Sequence, residues 1–323
     1  MEQQYEVRRT QWQDEPIIEL VDQQAGLTAR LAPRLGGNLF SLFSAPHQHE
    51  LLWAPESPKA LVERPTRFGV PLLMPPGRMK QGQFTYGGHT YQFDRNRGEH
   101  HSHGLVLTTP WEVEAEEAGP AGAAVTIGVR SWQHVDLLRQ FPHAFHLRVE
   151  YRLVEGMLRC TASVRNESDR SMPFGMGFHT YLSAPGDPMA WTVRLGASRR
   201  FALEDGFPTG AVLPVSGAFD LRQGRPVGES PLDDVYTDLE RDAEGWSGVE
   251  LASAERGLRV YCEADERFPI WVLFTGRVGE GFLAPEPYTI APNGFNLPQA
   301  VSRMWEIAPG AEVPVGTWRI RLA

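Results

Sequence analysis

The feature that most constrains this chain is a period of two in its apolar residues. Residues 147–164 read LRVEYRLVEGMLRCTASV, with Leu147, Val149, Tyr151 and Leu153 alternating with charged or polar neighbours. After "EGM" the alternation resumes at Leu158, Cys160, Ala162 and Val164. In an extended chain successive side chains point to opposite faces, so this pattern predicts two strands, each with one buried face, joined as a hairpin. The same period recurs at Val125, Ile127 and Val129, at Leu258, Val260 and Cys262, and at Trp318, Ile320 and Leu322. Gly87 and Gly88 lie between two aromatic-rich runs, and a two-residue turn with positive φ at both centres predicts a further hairpin there.

No segment keeps an apolar i, i+3, i+4, i+7 pattern over three turns, so only short helices are expected. Many strands without helical crossovers imply antiparallel sheets packed face to face, a large all-β sandwich. The 32 glycines and 26 prolines punctuate strands, and no linker, repeat or low-complexity tract divides them. The expectation is therefore one domain over residues 1–323. With 41% hydrophobic and 22% charged residues, a sizeable core is affordable and disorder is not expected.

A net charge of −9 without a basic cluster argues against a nucleic-acid surface. The start, MEQQYEVRRTQW, lacks the apolar core of a signal peptide, and no stretch approaches a membrane span. A cytoplasmic protein acting on a neutral or cationic small molecule is expected. Cys160 and Cys262 both fall within strand patterns and read as free, buried thiols rather than a disulfide framework.

Chemistry concentrates in stretches that set titratable residues beside glycine, proline and aromatics. Glu286, between Pro285 and Pro287, is held extended and is a candidate general base, with an ordinary loop glutamate as the bland alternative. His179, between Phe178 and Tyr181, is a candidate proton donor or a satisfied core histidine. Arg78 after "PPG" could hold an oxygen-rich ligand or be a surface residue. In "GEHHSHGL" (98–105), His101 and His103 stand two apart and would share a strand face, while His100 points the other way. Two same-face histidines supply too few metal ligands, so a role in lining a pocket outweighs a metal site, with a solvated tract as the third reading.

Taken together, these stretches resemble the aldose 1-epimerase (galactose mutarotase) family. The segments carrying the resemblance are "GVPLLMPPGRMKQGQFTYGGHTYQF", "HSHGLVLTTPWEV", "FGMGFHTYL", "LDDVYTDL" and "APEPYTIAPNGFNL". With "LAPRLGGNLFSL" near the start and "EIAPGAEV" near the end, they span nearly the whole chain in family order. The resemblance implies a large antiparallel β-sandwich and an isomerase that interconverts the α and β anomers of free hexoses of the glucose or galactose type. It implies Glu286 as general base and His179 as general acid. His103 and His101 would line the sugar pocket, and Arg78 and Asp233 would hold sugar hydroxyls. Asp234 competes with Asp233, because adjacent residues cannot both face one pocket. The implied reaction requires no metal, nucleotide or other cofactor.

The chain departs from many relatives around "PPGR" and "HTYLSA", which bears on substrate scope. Two other readings remain: an epimerase of phosphorylated hexoses, for which Arg95, Arg97 and Lys80 lie near the right segments, and a non-catalytic carbohydrate-binding protein on the same fold.

Overall fold

The computed structural model describes residues 4–323. Its strands gather into three main antiparallel sheets. The N-terminal residues form a five-stranded meander running Tyr5–Trp12, Glu15–Asp22, Leu27–Ala32, Asn38–Ser44 and His49–Glu50. A nine-stranded sheet starts at Glu112–Gly119 and Gly122–Arg130, continues through Phe145–Val154, Met157–Asn166 and Glu312–Leu322, and then takes in Leu258–Ala264 and Ser247–Ser253. An eight-stranded sheet has at its centre the strands Asp233–Leu239, Ile270–Phe274 and Phe282–Tyr288. The α-helices are the short segments Pro58–Glu63, Val135–Gln140 and Gln299–Ser302. Among the described residues no helix is long and apolar enough to cross a membrane.

The period-two residues do what the alternation predicts. Phe145–Val154 and Met157–Asn166 pair in full register from Phe145 opposite Asn166 to Val154 opposite Met157. They turn through Glu155 and Gly156, both at positive φ (51° and 70°), as a tight two-residue hairpin requires. Leu147, Val149, Tyr151, Leu153, Leu158, Cys160 and Val164 are all fully buried, while the residues between them face outward or are half-covered. The glycine hairpin is also present, with Gly87 and Gly88 at φ 56° and 77°. Cys160 and Cys262 are free and buried, on the two strands that flank Glu312–Leu322.

The nine- and eight-stranded sheets pack face to face. Trp271 of the eight-stranded sheet donates its indole N–H to Ser247 Oγ of the other at 3.1 Å, and Phe178 lies 5.3 Å from Trp318, ring centre to ring centre. Burial of each such large side chain contributes roughly 2–3 kcal/mol. One hydrophobic cluster runs from Tyr5 through both sheets to Ile320. The opposite face of the eight-stranded sheet looks away from this core, and its central strands form the floor of a cavity.

Candidate active site

Strand register builds that floor. Val235 pairs with Val272, which pairs with Glu286 on its other side, and Asp233 pairs with Phe274. Period two then brings Asp233, Val235, Val272, Phe274, Glu286 and Tyr288 to a single face, and all six line a cavity of about 290 Å³. Residues one step away on the same strands, such as Tyr236, Trp271 and Leu273, enter the core instead. Glu286 is therefore an interior strand residue, not a loop residue. It is 2% exposed because the strand carrying it is covered on both faces, by core on one and by cavity walls on the other.

The prolines flanking Glu286 sit in a central strand, where a residue without an N–H is normally excluded. Here the neighbouring segment 179–181 leaves the sheet, since His179 N–H donates to Pro71 O at 3.0 Å and Tyr181 N–H to Gly69 O at 2.9 Å. Pro285 and Pro287 have no donor to leave unsatisfied beside this opening. The departing segment brings His179, 4% exposed, over the carboxylate, with Nε2 3.2 Å from Glu286 Oε1.

Each member of the pair is held in place. Tyr288, two residues along the same strand, donates its hydroxyl to Glu286 Oε2. Gly177 makes room for that ring, because a Cβ there would stand 2.3 Å from it. Tyr181 stacks on His179 at 4.4 Å with 9° between the planes, and anchors its own hydroxyl on Thr66 O at 2.7 Å. His103 meets His179 edge to face at 5.4 Å.

Burial governs the titration of the pair. It pushes the Glu286 carboxyl well above its ordinary range, with the Tyr288 hydroxyl opposing that in part. It also drives His179 well below the usual imidazole value, and the neighbouring His103 adds to this. His103 is itself pushed down to about 3 by burial and then by the charges of Arg97 and Arg78. Burial thus favours neutral histidines above a carboxyl that retains its proton.

His103 N–H donates to Gly77 O at 2.8 Å, and Gly104 lies so close to Met74 that a Cβ would fall 2.0 Å from its carbonyl oxygen. Arg78 reaches from the adjoining loop, donating to Asp233 Oδ2 at 2.9 Å and to Gly206 O at 3.3 Å. Asp233 faces the cavity, whereas Asp234 turns to the opposite side toward Arg200, 3.8 Å away.

Five of the six expected positions, Glu286, His179, His103, Arg78 and Asp233, line this one cavity although they come from five separate segments. His101 does not line it, and the shared strand face expected for His101 and His103 is absent. The strand ends at Ser102, and His103 turns into the left-handed region (φ 68°), which breaks the period. The His101 ring is buried instead, with Nδ1 2.6 Å from Asp94 O, and borders a separate surface depression beside the helix Val135–Gln140. His100 points elsewhere, accepting the Gln81 N–H at Nδ1 (3.1 Å). Among the described residues no three His, Cys, Asp or Glu side chains are grouped as metal ligands.

Sequence reading passed over several further lining residues, Tyr288, Tyr181 and Arg67 among them. Tyr288 and Tyr181 were within reach, since each stands two residues from a predicted site residue. Arg67 carries no local signal and is brought in only by the fold.

An aldose 1-epimerase family model matches residues 17–312. Among solved structures, the chain is similar to a galactose mutarotase-like protein from Clostridium acetobutylicum, at 22% identity over 99% of this chain and 98% of that one, with a TM-score of 0.91. It is also similar to a galactose 1-epimerase from Lactobacillus acidophilus, at 18% identity over 99% of each chain and a TM-score of 0.78. A galactose mutarotase-like protein from Lactobacillus casei matches 95% of this chain and 100% of its own at 20% identity, with a TM-score of 0.74. At these identities the likeness to solved structures concerns the fold.

Proposed function

The chain belongs to the aldose 1-epimerase family, and from that premise we propose that it interconverts the α and β anomers of an aldohexose of the glucose or galactose type by ring opening and closure. The observation that carries this reading is the buried contact between Glu286 and His179 at the cavity floor, 3.2 Å apart. Opening a cyclic hemiacetal requires removal of the proton on O1 and delivery of one to the ring oxygen. Both oxygens are bonded to C1, so a base and an acid close together can serve them at once.

In the proposed cycle Glu286 takes the O1 proton while His179 protonates the ring oxygen, giving the open aldehyde. Rotation about the bond from C1 to C2 presents the other carbonyl face, and the two groups exchange roles as the ring closes. The pair must enter carrying one dissociable proton, and where burial has placed it on Glu286 it passes to His179 Nε2, 3.2 Å away, before Glu286 can act as the base. Desolvation keeps the carboxylate strongly basic and the imidazolium strongly acidic, so each group is matched to its half of the transfer. His103, Arg78 and Asp233 offer hydrogen-bonding groups for the remaining sugar oxygens. All the proton traffic is assigned to side chains, and no step calls for a metal or organic cofactor.

The reading is tested by polarimetry on freshly dissolved α-D-glucose and α-D-galactose. Purified protein is expected to accelerate the approach to optical equilibrium, and Glu286→Gln and His179→Ala are each expected to lower that rate by roughly 10²–10⁴-fold. Full activity in both variants, or none in the parent protein, would overturn it.

A further inference from the structure

Of the expected site residues, His101 is the one that the cavity above Glu286 leaves out, and it borders instead a depression of about 800 Å³. Segment 94–104 divides the two spaces. Arg97 and His103 line the cavity, whereas Asp94, Asn96, His101 and Gly104 line the depression. The depression therefore has walls of its own, and its chemistry is separate from the proton transfer assigned to Glu286 and His179.

The His101 ring is fixed, and one of its nitrogens is unused. Burial to 3% exposure and an edge-to-face contact with Phe93 at 5.1 Å hold it in place. Its Nδ1 lies 2.6 Å from Asp94 O, a carbonyl that can only accept, so this nitrogen carries the proton. Burial also lowers the pKa of the ring, which keeps it neutral. Nε2 is then a bare acceptor, and among the described residues nothing donates to it. A buried polar atom left unanswered calls for a donor that the chain itself does not supply.

The wall above it suits neutral, hydroxyl-rich chemistry. Arg139 grips Asp94 by two hydrogen bonds, Nη1 to Oδ1 at 3.0 Å and Nη2 to Oδ2 at 2.5 Å, with both side chains at least half exposed. Such a fork keeps outer lone pairs and further N–H groups free, so neighbouring hydroxyls can donate to one partner and accept from the other. The Asp94 N–H donates to Gln140 Oε1 at 2.7 Å. The Asn96 side chain bridges to Ser102, donating to its carbonyl at 3.0 Å and accepting its N–H at 2.7 Å. The wall is thus ordered before a ligand arrives, which lowers the entropy lost on binding.

Leu105, Leu107, Pro110, Val135 and Leu137 add apolar surface, and Val135 is 82% exposed. Fixed polar groups beside an apolar face match a sugar ring, which presents hydroxyls at its edge and C–H bonds on its faces. Charge narrows the class further. Apart from histidines, the charged lining residues are two carboxylates, Asp94 and Asp136, against one guanidinium, Arg139, and this negative balance disfavours an anion.

We propose that this depression is a second carbohydrate site, which holds a neutral saccharide between the Asp94–Arg139 fork and the apolar surface. One ligand hydroxyl answers His101 Nε2, directly or through a single water. The proposal is independent of the epimerase reading, because the ligand needs no free anomeric carbon.

The probes are methyl α-D-glucopyranoside, sucrose and trehalose, three neutral sugars without a free anomeric hydroxyl. They are titrated by calorimetry into the parent protein, Arg139→Ala and Thr108→Trp. Thr108 lines the depression and is exposed, so an indole there fills the space from the solvent side. At least one sugar is expected to bind the parent with a dissociation constant of about 10 mM or tighter, and each variant to weaken it about tenfold or more. One substitution removes a donor and the other occupies space, which guards against a folding defect in either. In protein carrying isotope-labelled histidine, the same sugar should move the NMR signal of His101 Nε2. Failure of all three sugars to bind at that strength, a His101 signal that stays fixed, or an affinity unchanged in both variants would overturn the proposal. None of these outcomes bears on the epimerase reading, which is decided by turnover.

Discussion

At the scale of the residue, the site depends on how one proton is shared between Glu286 and His179. Because the two groups are in contact, their apparent pKa values belong to the pair. The rate should follow a bell in pH, falling on the acid side when both groups are protonated and on the alkaline side when neither is. Tyr288 stabilises only the deprotonated carboxylate, through its hydroxyl. Tyr288→Phe removes that donor from the state with no protons and leaves the state with two almost untouched. The sum of the two apparent pKa values then rises, and the centre of the bell moves to higher pH. A pH profile of kcat/KM for parent and variant checks this, and a centre that stays fixed or moves to lower pH would count against the role given to Tyr288. The variant is also expected to lose rate, since it retains the base but not its alignment. Tyr288 is the kind of residue a sequence reveals once its neighbour is suspected, because i and i+2 on a strand share a face. His101 shows the limit of the same rule: a single left-handed residue, His103, ended the strand and reset the direction of every side chain beyond it.

At the scale of the element, glycines separate positions that serve the fold from positions that serve the site. Gly156 ends a hairpin far from the cavity at φ 70°, with only the Ala25 Cβ nearby at 3.4 Å. Gly156→Ala should therefore destabilise the protein by about 1–2 kcal/mol through backbone strain alone and leave kcat unchanged. Gly177 lies against the ring of Tyr288, and an alanine methyl there would overlap it at 2.3 Å and 2.7 Å. Since one face of that strand is pinned by the core, the ring must move, and the Glu286 carboxylate loses its anchor. Gly177→Ala should lower kcat by about tenfold or more in addition to an overpacking penalty of about 1–3 kcal/mol. Denaturation midpoints and kcat measured for both variants separate the two cases, and equal kcat values would refute the distinction. The hairpins were legible because turn chemistry and alternation are local. Strand order was not: nothing near Glu286 indicates that it will stand beside Val272, or that segment 179–181 will leave the sheet to cover it. Arg67 was invisible for the same reason, since its placement depends on Asn38, Trp53 and Glu280, residues scattered along the chain.

At the scale of the whole molecule, a buried acid with a raised pKa works against the stability of the fold that surrounds it. The main hydrophobic cluster joins residues from Tyr5 to Ile320 across all three large sheets, and we take it that the chain unfolds as one cooperative unit. A perturbation at the cavity floor should then be felt everywhere. Glu286 titrates near pH 4.3 once unfolded and well above that when folded. Its protonated form is compatible with burial, so its contribution is fully present below about pH 4.3 and is lost as pH rises toward the folded value. Each unit between the two values removes about 1.4 kcal/mol. His103 and His179 act in the opposite sense: their depressed values favour the fold above the ordinary imidazole range and withdraw that contribution as pH falls. Glutamine at position 286 keeps the neutral shape without titrating. Glu286→Gln should match the parent near pH 4, exceed it in stability at pH 8, and have little activity at either. If the chain is one unit, tryptophan fluorescence and far-ultraviolet circular dichroism will report the same shift in midpoint at pH 8. A shift seen by one probe alone would mean that the sheets unfold separately, and a less stable variant at pH 8 would mean that the carboxylate is paired in the folded protein rather than buried as an acid.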